Sequence, residues 1–246
     1  MIIEKQVNIA SCLDSTYLKT SAESGISEIE TQAIIINAIN EAIYAKFACI
    51  MIRSEFIEIA KQLIEKSKSK LKVGTVVDFP LGTSSTEQKI TEGKLAIERG
   101  AHDIDCVCDY NAFKRGNFEK FDNDITQVTS LVIKHKKTLK WIIETGALSN
   151  YEIKAITKRI SKLVQSNFPK VINKVFIKTS TGYYGGYGAT VKDVKSIKSV
   201  AGNLQIKASG GVSTIKDCKE MIKAGATRIG TSKAVFIYKE NQENEF

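Results

Sequence analysis

Short apolar runs alternate along the chain with longer amphipathic stretches of helical periodicity. Eight apolar runs have the length of buried strands, and they lie near Val7–Cys12, Phe47–Ile52, Lys72–Val77, Asp103–Val107, Leu139–Glu144, Lys174–Lys178, Leu204–Ala208 and Arg228–Gly230. Eight strand-helix units in 246 residues give about 31 residues per unit, close to the ~250 residues typical of a (β/α)8 barrel. The pattern therefore predicts an α/β protein in which residues 1–246 form a single-domain (β/α)8 TIM barrel.

Capping residues support this division into units. Helix starts are predicted at Ser84 and Ser85, Thr190 and Ser213, and helix ends at Gly100 and Gly225. An open doubly wound sheet shows the same alternation, but it usually carries a glycine-rich turn after its first strand. Here the residues predicted to follow the first strand are Asp14-Ser15-Thr16, which favours the barrel.

Composition excludes several classes of protein. No run approaches the roughly 18 apolar residues of a membrane span, and the N-terminus lacks the pattern of a signal peptide. We therefore expect a cytoplasmic protein that does not associate with membranes. The net charge of +9 could attract nucleic acid, but the lysines are dispersed over most predicted helices without interleaved aromatic residues. Nucleic acid is accordingly not an expected partner.

The sequence offers few residues in the spacings that metal sites or disulfide frameworks require. The five cysteines are odd in number and form no C-x-x-C pair, so we expect reduced thiols that pack as small core residues. His102 and His135 lie in no metal-binding spacing. We expect neither a metal ion nor an organic cofactor.

Charged residues occupy three predicted strands where a barrel strand should be apolar: Asp105, Lys178 and Lys207. If the isoleucine before each faces the helices, the period of two turns the charged side chain into the barrel mouth. Strands six and seven are neighbours, so the two ammonium groups would repel each other and favour a neutral amine, the form that attacks a carbonyl to make an imine. Asp105 could offset charge and move a proton. The alternative, lysines whose stems pack at the rim while their heads reach water, stays open on position alone.

Glycine-bearing turns are predicted after the last three strands. Backbone amides exposed at such turns can bind phosphate, and the seventh and eighth loops are the usual place for such a site in barrels. The candidate residues are Gly182, Gly210, Gly211, Gly230, Thr231 and Ser232.

Seven stretches together make the chain resemble the deoxyribose-phosphate aldolases along nearly its whole length. They are Leu13–Thr16, Gly74–Gly82, Gly100–Asp105, Ile142–Gly146, Phe176–Gly182, Ile206–Val212 and Arg228–Ser232. The resemblance implies a class I aldolase that reversibly cleaves 2-deoxy-D-ribose 5-phosphate to D-glyceraldehyde 3-phosphate and acetaldehyde, without a cofactor, in deoxyribonucleotide catabolism. A homodimer is compatible with this interpretation, although no interface pattern is visible.

The resemblance also implies a role for each matching residue. Lys178 would form the imine, Lys207 would perturb the pKa of Lys178, and Asp105 would relay protons. Gly210, Gly211, Gly230, Thr231 and Ser232 match the region that binds the substrate phosphate, and Gly182 joins them because it lies in the first of the glycine-bearing turns. Asp14 and Thr16 match an early family motif beneath the site, where they would cap or support it. The resemblance gives Glu144 no settled role, and we expect it to be a structural charge near the mouth.

Three departures bear on these roles. Tyr183 stands where some relatives carry a basic residue, the loop Tyr183–Gly188 places its glycines differently, and the chain ends Glu245-Phe246 rather than in a tyrosine that could assist proton transfer. Three alternatives stay open: a related Schiff-base aldolase or transaldolase acting on another sugar phosphate, a non-catalytic phosphate-binding barrel and, least favoured, a nucleic-acid-binding module.

Overall fold

The computed structural model describes residues 8–243, and in this range eight parallel strands close into a barrel in sequence order. The strands are β1 (Leu13–Tyr17), β2 (Cys49–Ile52), β3 (Lys72–Val77), β4 (Asp103–Val107), β5 (Thr138–Ile142), β6 (Val175–Lys178), β7 (Gln205–Ser209) and β8 (Arg228–Thr231). Pairing of β1 with β8 completes the ring. The predicted (β/α)8 barrel is confirmed.

Helices connect the strands on the outside of the barrel. They are α1 (Ser21–Ser24), α2 (Glu28–Tyr44), α3 (Ile57–Lys66), α4 (Thr86–Arg99), α5 (Tyr110–Lys114), α6 (Phe118–Lys134), α7 (Asn150–Asn167), α8 (Val191–Lys198), α9 (Ile215–Ala224) and α10 (Ala234–Glu243). None of the helices in the described part of the chain is long and apolar enough to cross a membrane.

Most predicted helix boundaries are confirmed. Ser85 begins α4 in a reciprocal capping box, Gly100 ends it in a left-handed conformation, and Thr190 caps α8. The prediction for α9 is wrong by one residue, because Thr214 is its cap. The Ser213 backbone amide instead donates to Asp217, 3.0 Å away.

The predicted first strand, Val7–Cys12, is wrong. Val7 lies outside the described residues, and Ile9–Cys12 is a 3-10 helix that Asn8 caps by accepting from the Ser11 amide. The strand begins at Leu13, so Asp14 and Thr16 lie within β1 rather than in a turn after it. The prediction looked for a run of apolar residues, and it missed β1 because the buried residues of this strand include the polar Asp14 and Ser15.

Strands β4 and β5 are buried at every position because both of their faces are covered. Leu139 and Trp141 belong to the hydrophobic core, and the Trp141 indole donates to Thr129 of α6 at 3.2 Å. The side chains that alternate with them point into the barrel. In these two strands that inner set includes Asp103, Asp105 and Lys140, which join one another there in ion pairs. The barrel interior therefore carries charge rather than only packed hydrocarbon.

Candidate active site

The three charged residues predicted to face the barrel mouth meet in the structure. Lys178 and Lys207 are register partners on β6 and β7, and both donate to Oδ2 of Asp105, at 2.9 and 2.8 Å. All three side chains are buried, with no residue more than 3% exposed. The alternative of rim lysines with solvated heads is wrong for this pair.

A third buried lysine, which the sequence argument missed, completes the shell around Asp105. Lys140 of β5 donates to Oδ1 of Asp105 at 3.0 Å and to Asp103 at 2.7 Å. Lys140 lies between the apolar Leu139 and Trp141 in a predicted strand, so the same alternation of inward and outward side chains that identified the other two lysines also predicts that Lys140 faces the barrel interior. Asp105 thus accepts from three ammonium groups.

Asp14 and Arg228 extend this cluster across β1 and β8. Asp14 lies 2.7 Å from Lys207 Nζ, and Arg228 donates to Asp14 from Nε at 2.7 Å. Arg228 also lies 3.4 Å from Asp103. No role was predicted for Arg228 from the sequence, although it lies in a matching stretch. Asp14 was predicted to lie beneath the site, and in the structure it contacts Lys207. Thr16 donates to the Asp14 carbonyl oxygen at 3.0 Å, so the contact it makes is with the β1 backbone.

Electrostatics make Lys178 the unusual amine of the cluster. Burial lowers its pKa to about 8; Asp105 opposes this shift, and the ammonium of Lys207 reinforces it. Burial would raise the pKa of Asp105, but Lys140, Lys178 and Lys207 hold that pKa well below its ordinary value. With a pKa near 8, about a tenth of Lys178 amines are neutral at pH 7, against less than about one in a thousand for an ordinary lysine. Lys178 is thereby suited to nucleophilic attack on a carbonyl.

Glu144 lies in the loop after β5 and contacts the loop after β6. Its buried carboxylate accepts from the backbone amide of Thr181 at 3.2 Å and from the Thr181 hydroxyl. Burial raises the pKa of Glu144, while the bonds from Thr181 and the charge of Lys178 act against that rise. The contacts place Glu144 as a support for the loop that begins directly after Lys178.

Two of the predicted phosphate-site turns lie side by side. Gly182 and Gly210 both have positive φ, and a side chain on Gly210 would come within 2.9 Å of the Gly188 Cα and 3.4 Å of the Gly182 Cα. Gly211 follows with a φ of 74°. Glycine is thus required where these backbones approach each other.

The third predicted turn is partly wrong, because Gly230 and Thr231 belong to β8. A side chain on Gly230 would come within 2.7 Å of Lys207 Cε, so this glycine makes room for the lysine stem. The Thr231 hydroxyl donates to the Val212 carbonyl oxygen at 2.6 Å and ties the seventh loop to the end of β8. Only Ser232, which is exposed, lies in the turn itself.

The N-terminus of α9 already carries anionic partners. Asp217 accepts from the amides of Ser213 and Thr214, and Glu240 accepts from the Ile215 amide at 2.6 Å. A substrate phosphate would compete there with two carboxylates. The Gly210-Gly211 turn and the turn at Ser232 are therefore the better candidates for a phosphate contact.

Tyr183, the residue that follows Gly182, packs against the loop that follows β3. Its ring meets Phe79 edge-on, with 5.0 Å between centroids, and the Arg53 guanidinium lies 5.5 Å from the centre of the Phe79 ring. This contact fixes the start of the Tyr183–Gly188 loop against the opposite side of the mouth. The residues Glu245 and Phe246 lie outside the described part of the chain.

Within residues 8–243, no three His, Cys, Asp or Glu side chains are arranged to hold a metal ion. The carboxylates of Asp14, Asp103 and Asp105 are instead paired with amines and a guanidinium. The five cysteines are unpaired, and four of them are buried.

Comparisons with known proteins identify similar aldolases. Residues 19–235 match the model of the family described as DeoC/LacD family aldolase. A deoxyribose-phosphate aldolase of Mycoplasmopsis synoviae is 39% identical over 97% of this chain and 99% of its own length. That of Thermococcus kodakarensis is 36% identical over 93% and 95%. A solved deoxyribose phosphate aldolase from Aeropyrum pernix, described as a unique tetramer, superposes with a TM-score of 0.78 at 26% identity, covering 96% of this chain and 92% of its own.

Proposed function

The chain belongs to the DeoC/LacD family of aldolases, and from this membership we propose that it reversibly cleaves 2-deoxy-D-ribose 5-phosphate into D-glyceraldehyde 3-phosphate and acetaldehyde. Lys178 carries the reaction as a covalent imine. The observation that supports this assignment most strongly is the buried Lys178 amine, whose pKa lies near 8 and which contacts Asp105 at 2.9 Å. The pathway it serves is deoxyribonucleotide catabolism.

The reaction begins when the neutral Lys178 amine attacks C1 of the open-chain aldehyde. Loss of water from the adduct gives a protonated imine, which draws electrons from the C2–C3 bond as that bond breaks. The C3 hydroxyl loses its proton and becomes the aldehyde of glyceraldehyde 3-phosphate, while C1 and C2 stay on Lys178 as an enamine. Protonation of C2 followed by hydrolysis releases acetaldehyde and restores the amine.

Asp105 and Lys207 serve the two proton transfers. Asp105 has a pKa well below its ordinary value, so it is a weak base and acts mainly by orienting the amines. Lys207, 2.8 Å from Asp105, or a water bound beside it, exchanges the proton with the C3 hydroxyl and with C2. The pair thereby serves as base in one step and as acid in the next.

The substrate phosphate contacts the Gly210-Gly211 turn and the turn at Ser232. Ser232→Asp places a negative charge in an exposed turn, so the fold should tolerate it. We expect KM for the phosphorylated substrate to rise about tenfold or more, with kcat little changed, because like charges repel at short range.

Steady-state kinetics with and without the phosphate check this prediction, with Ser232→Ala as the matched neutral variant. Cleavage of unphosphorylated 2-deoxyribose should be equally slow in both variants and in the parent protein. An unchanged KM for the phosphorylated sugar in Ser232→Asp would place the phosphate elsewhere.

We also propose a cytoplasmic protein that associates with copies of itself. The tetrameric relative from Aeropyrum pernix supports self-association, and a homodimer is one assembly compatible with it. Light scattering on the purified protein measures the mass directly, and a monomer at micromolar concentration would contradict this expectation.

The activity itself is tested by coupling sugar phosphate cleavage to glyceraldehyde 3-phosphate dehydrogenase. We expect NADH to form in proportion to the 2-deoxy-D-ribose 5-phosphate supplied, without added metal and in the presence of a chelator. Acetaldehyde is the expected second product. A ketone donor unit from a longer sugar phosphate, either released or transferred to an acceptor aldehyde, with no acetaldehyde formed, would instead indicate a related aldolase or a transaldolase.

A further inference from the structure

The cluster around Lys178 contains more positive than negative groups. Its four cationic side chains are Lys140, Lys178, Lys207 and Arg228, and its three carboxylates are Asp14, Asp103 and Asp105, all linked by contacts within 4.0 Å. If every group were ionised, one positive charge would have no carboxylate to balance it. Such an excess in a buried site is costly, so one amine loses its proton more easily than an ordinary lysine.

The contacts identify which cation is the excess one. Lys140 lies within 4.0 Å of all three carboxylates, and Lys207 and Arg228 each lie within that distance of two. Lys178 touches only Asp105, at an oxygen that it shares with Lys207. Lys178 is therefore the least compensated cation of the four.

Other titratable groups near the cluster do not alter this count. The Cys49 thiol on β2 is held neutral, because burial and the carboxylates of Asp103 and Asp14 raise its pKa well above the ordinary value. Glu144, after β5, is bound by Thr181 and within the described residues forms no ion pair with an amine, so the charge of Lys178 acts on it only from beyond 4.0 Å. The seven groups in direct contact thus dominate the charge balance that Lys178 experiences.

We propose that Lys140, Asp103 and Arg228 are positioning residues that set the protonation of Lys178 through the charge count of this buried cluster. None of the three needs to touch the substrate. Lys140 and Arg228 occupy the carboxylates that would otherwise hold Lys178 as an ammonium, and Asp103 supplies a negative charge that partly offsets Lys140 and Arg228. The proposal rests on the imine function assigned to Lys178.

Charge counting predicts opposite effects for opposite changes. Lys140→Met leaves three cations and three carboxylates. Asp105 then interacts with one cation fewer and stabilises the Lys178 ammonium more strongly, so Lys178 becomes harder to deprotonate. Asp103→Asn leaves four cations and two carboxylates, so Lys178 becomes easier to deprotonate. The double variant leaves three and two, which restores the original excess of one. A structural defect would not reverse its sign in this way.

The experiment measures the rate at which acetaldehyde is trapped on Lys178 by cyanoborohydride between pH 6 and 10, read by mass on the tryptic peptide. We expect a midpoint near pH 8 for the parent protein, about one unit higher for Lys140→Met and about one unit lower for Asp103→Asn. The double variant should return to within about 0.3 unit of the parent. Equal midpoints in all four proteins would overturn the proposal.

Two further variants protect the test. Arg228→Gln also removes one cation from the cluster, and it should shift the midpoint upward as Lys140→Met does. Because the Arg228 side chain is partly exposed, this variant can serve in place of Lys140→Met if that protein does not fold. Lys89→Met removes an equally buried lysine whose partners, Asp78 and Asp124, lie outside the cluster, and it should leave the midpoint unchanged. A parent protein that traps no acetaldehyde would contradict the proposed function, whereas trapping with unshifted variants would contradict only the charge balance.

Discussion

Replacing Lys178 with methionine is expected to lower kcat/KM for deoxyribose-phosphate cleavage by about four orders of magnitude or more. Methionine fills a similar volume but offers no nitrogen, so neither the imine nor the enamine can form. The folded state should be kept, because the change removes the least compensated cation of a buried cluster that carries an excess of positive charge. Coupled kinetics and thermal unfolding measure the two quantities separately.

Lys192→Met on α8 is the matched control for this change. Lys192 is not buried and lies outside the charged cluster, so kcat/KM should stay within about twofold of the parent value. A Lys178→Met protein that is folded and retains even a tenth of the parent activity would require another nucleophile.

Asp105→Asn is expected to cause the second largest loss, about a thousandfold in kcat, together with a loss of stability of about 3 kcal/mol or more. The carboxylate contacts three ammonium groups, at 2.9, 2.8 and 3.0 Å. An amide leaves those charges facing one another without a counter-ion, and it cannot hold Lys207 in position for proton transfer. Chemical denaturation and steady-state kinetics check both effects.

Asp122→Asn is the matched control, because Asp122 also pairs with a cation, Arg159, but is about one-third exposed. Surface ion pairs contribute about 1 kcal/mol or less, so this variant should lose little stability and no activity. Comparable losses in the two variants would contradict a special role for the buried carboxylate.

Much of the barrel could be predicted because buried strands and amphipathic helices leave separate periods in the sequence. The bounds of β3 and β4 were predicted to the residue, and Ser85 and Gly100 marked the ends of α4. The first strand failed for a physical reason. Its buried side chains include Asp14, whose burial depends on Arg228, more than 200 positions later in the chain, and no local pattern reports such a contact.

The candidate site was predicted in part by the same reasoning. Alternation identified Asp105, Lys178 and Lys207, and applied to β5 it would also have identified Lys140. The order of the pKa causes was not visible, since burial of Lys178 outweighs repulsion by Lys207 and burial is a property of the folded barrel.

The glycine turns show a similar limit. Gly230 was interpreted as a phosphate contact, yet in the fold it gives space to the Lys207 stem. Asp217 and Glu240 occupy the α9 amides through capping and a long-range contact, which the glycine motif does not report. The spacing of glycines in a sequence indicates where a side chain would not fit, but it does not identify the group that fills that space, whether a ligand, a backbone segment or another side chain.

The most direct test of the central claim is reductive trapping at one residue. The parent protein is incubated with acetaldehyde and cyanoborohydride at pH 7, digested and mapped by mass. The imine account predicts that one ethyl group is added per chain on Lys178 within minutes, far ahead of the exposed lysines, and that this addition is absent in Lys178→Met. Labelling of Lys178 no faster than that of surface lysines, or equally rapid single labelling of the variant at Lys207 or Lys140, would contradict it.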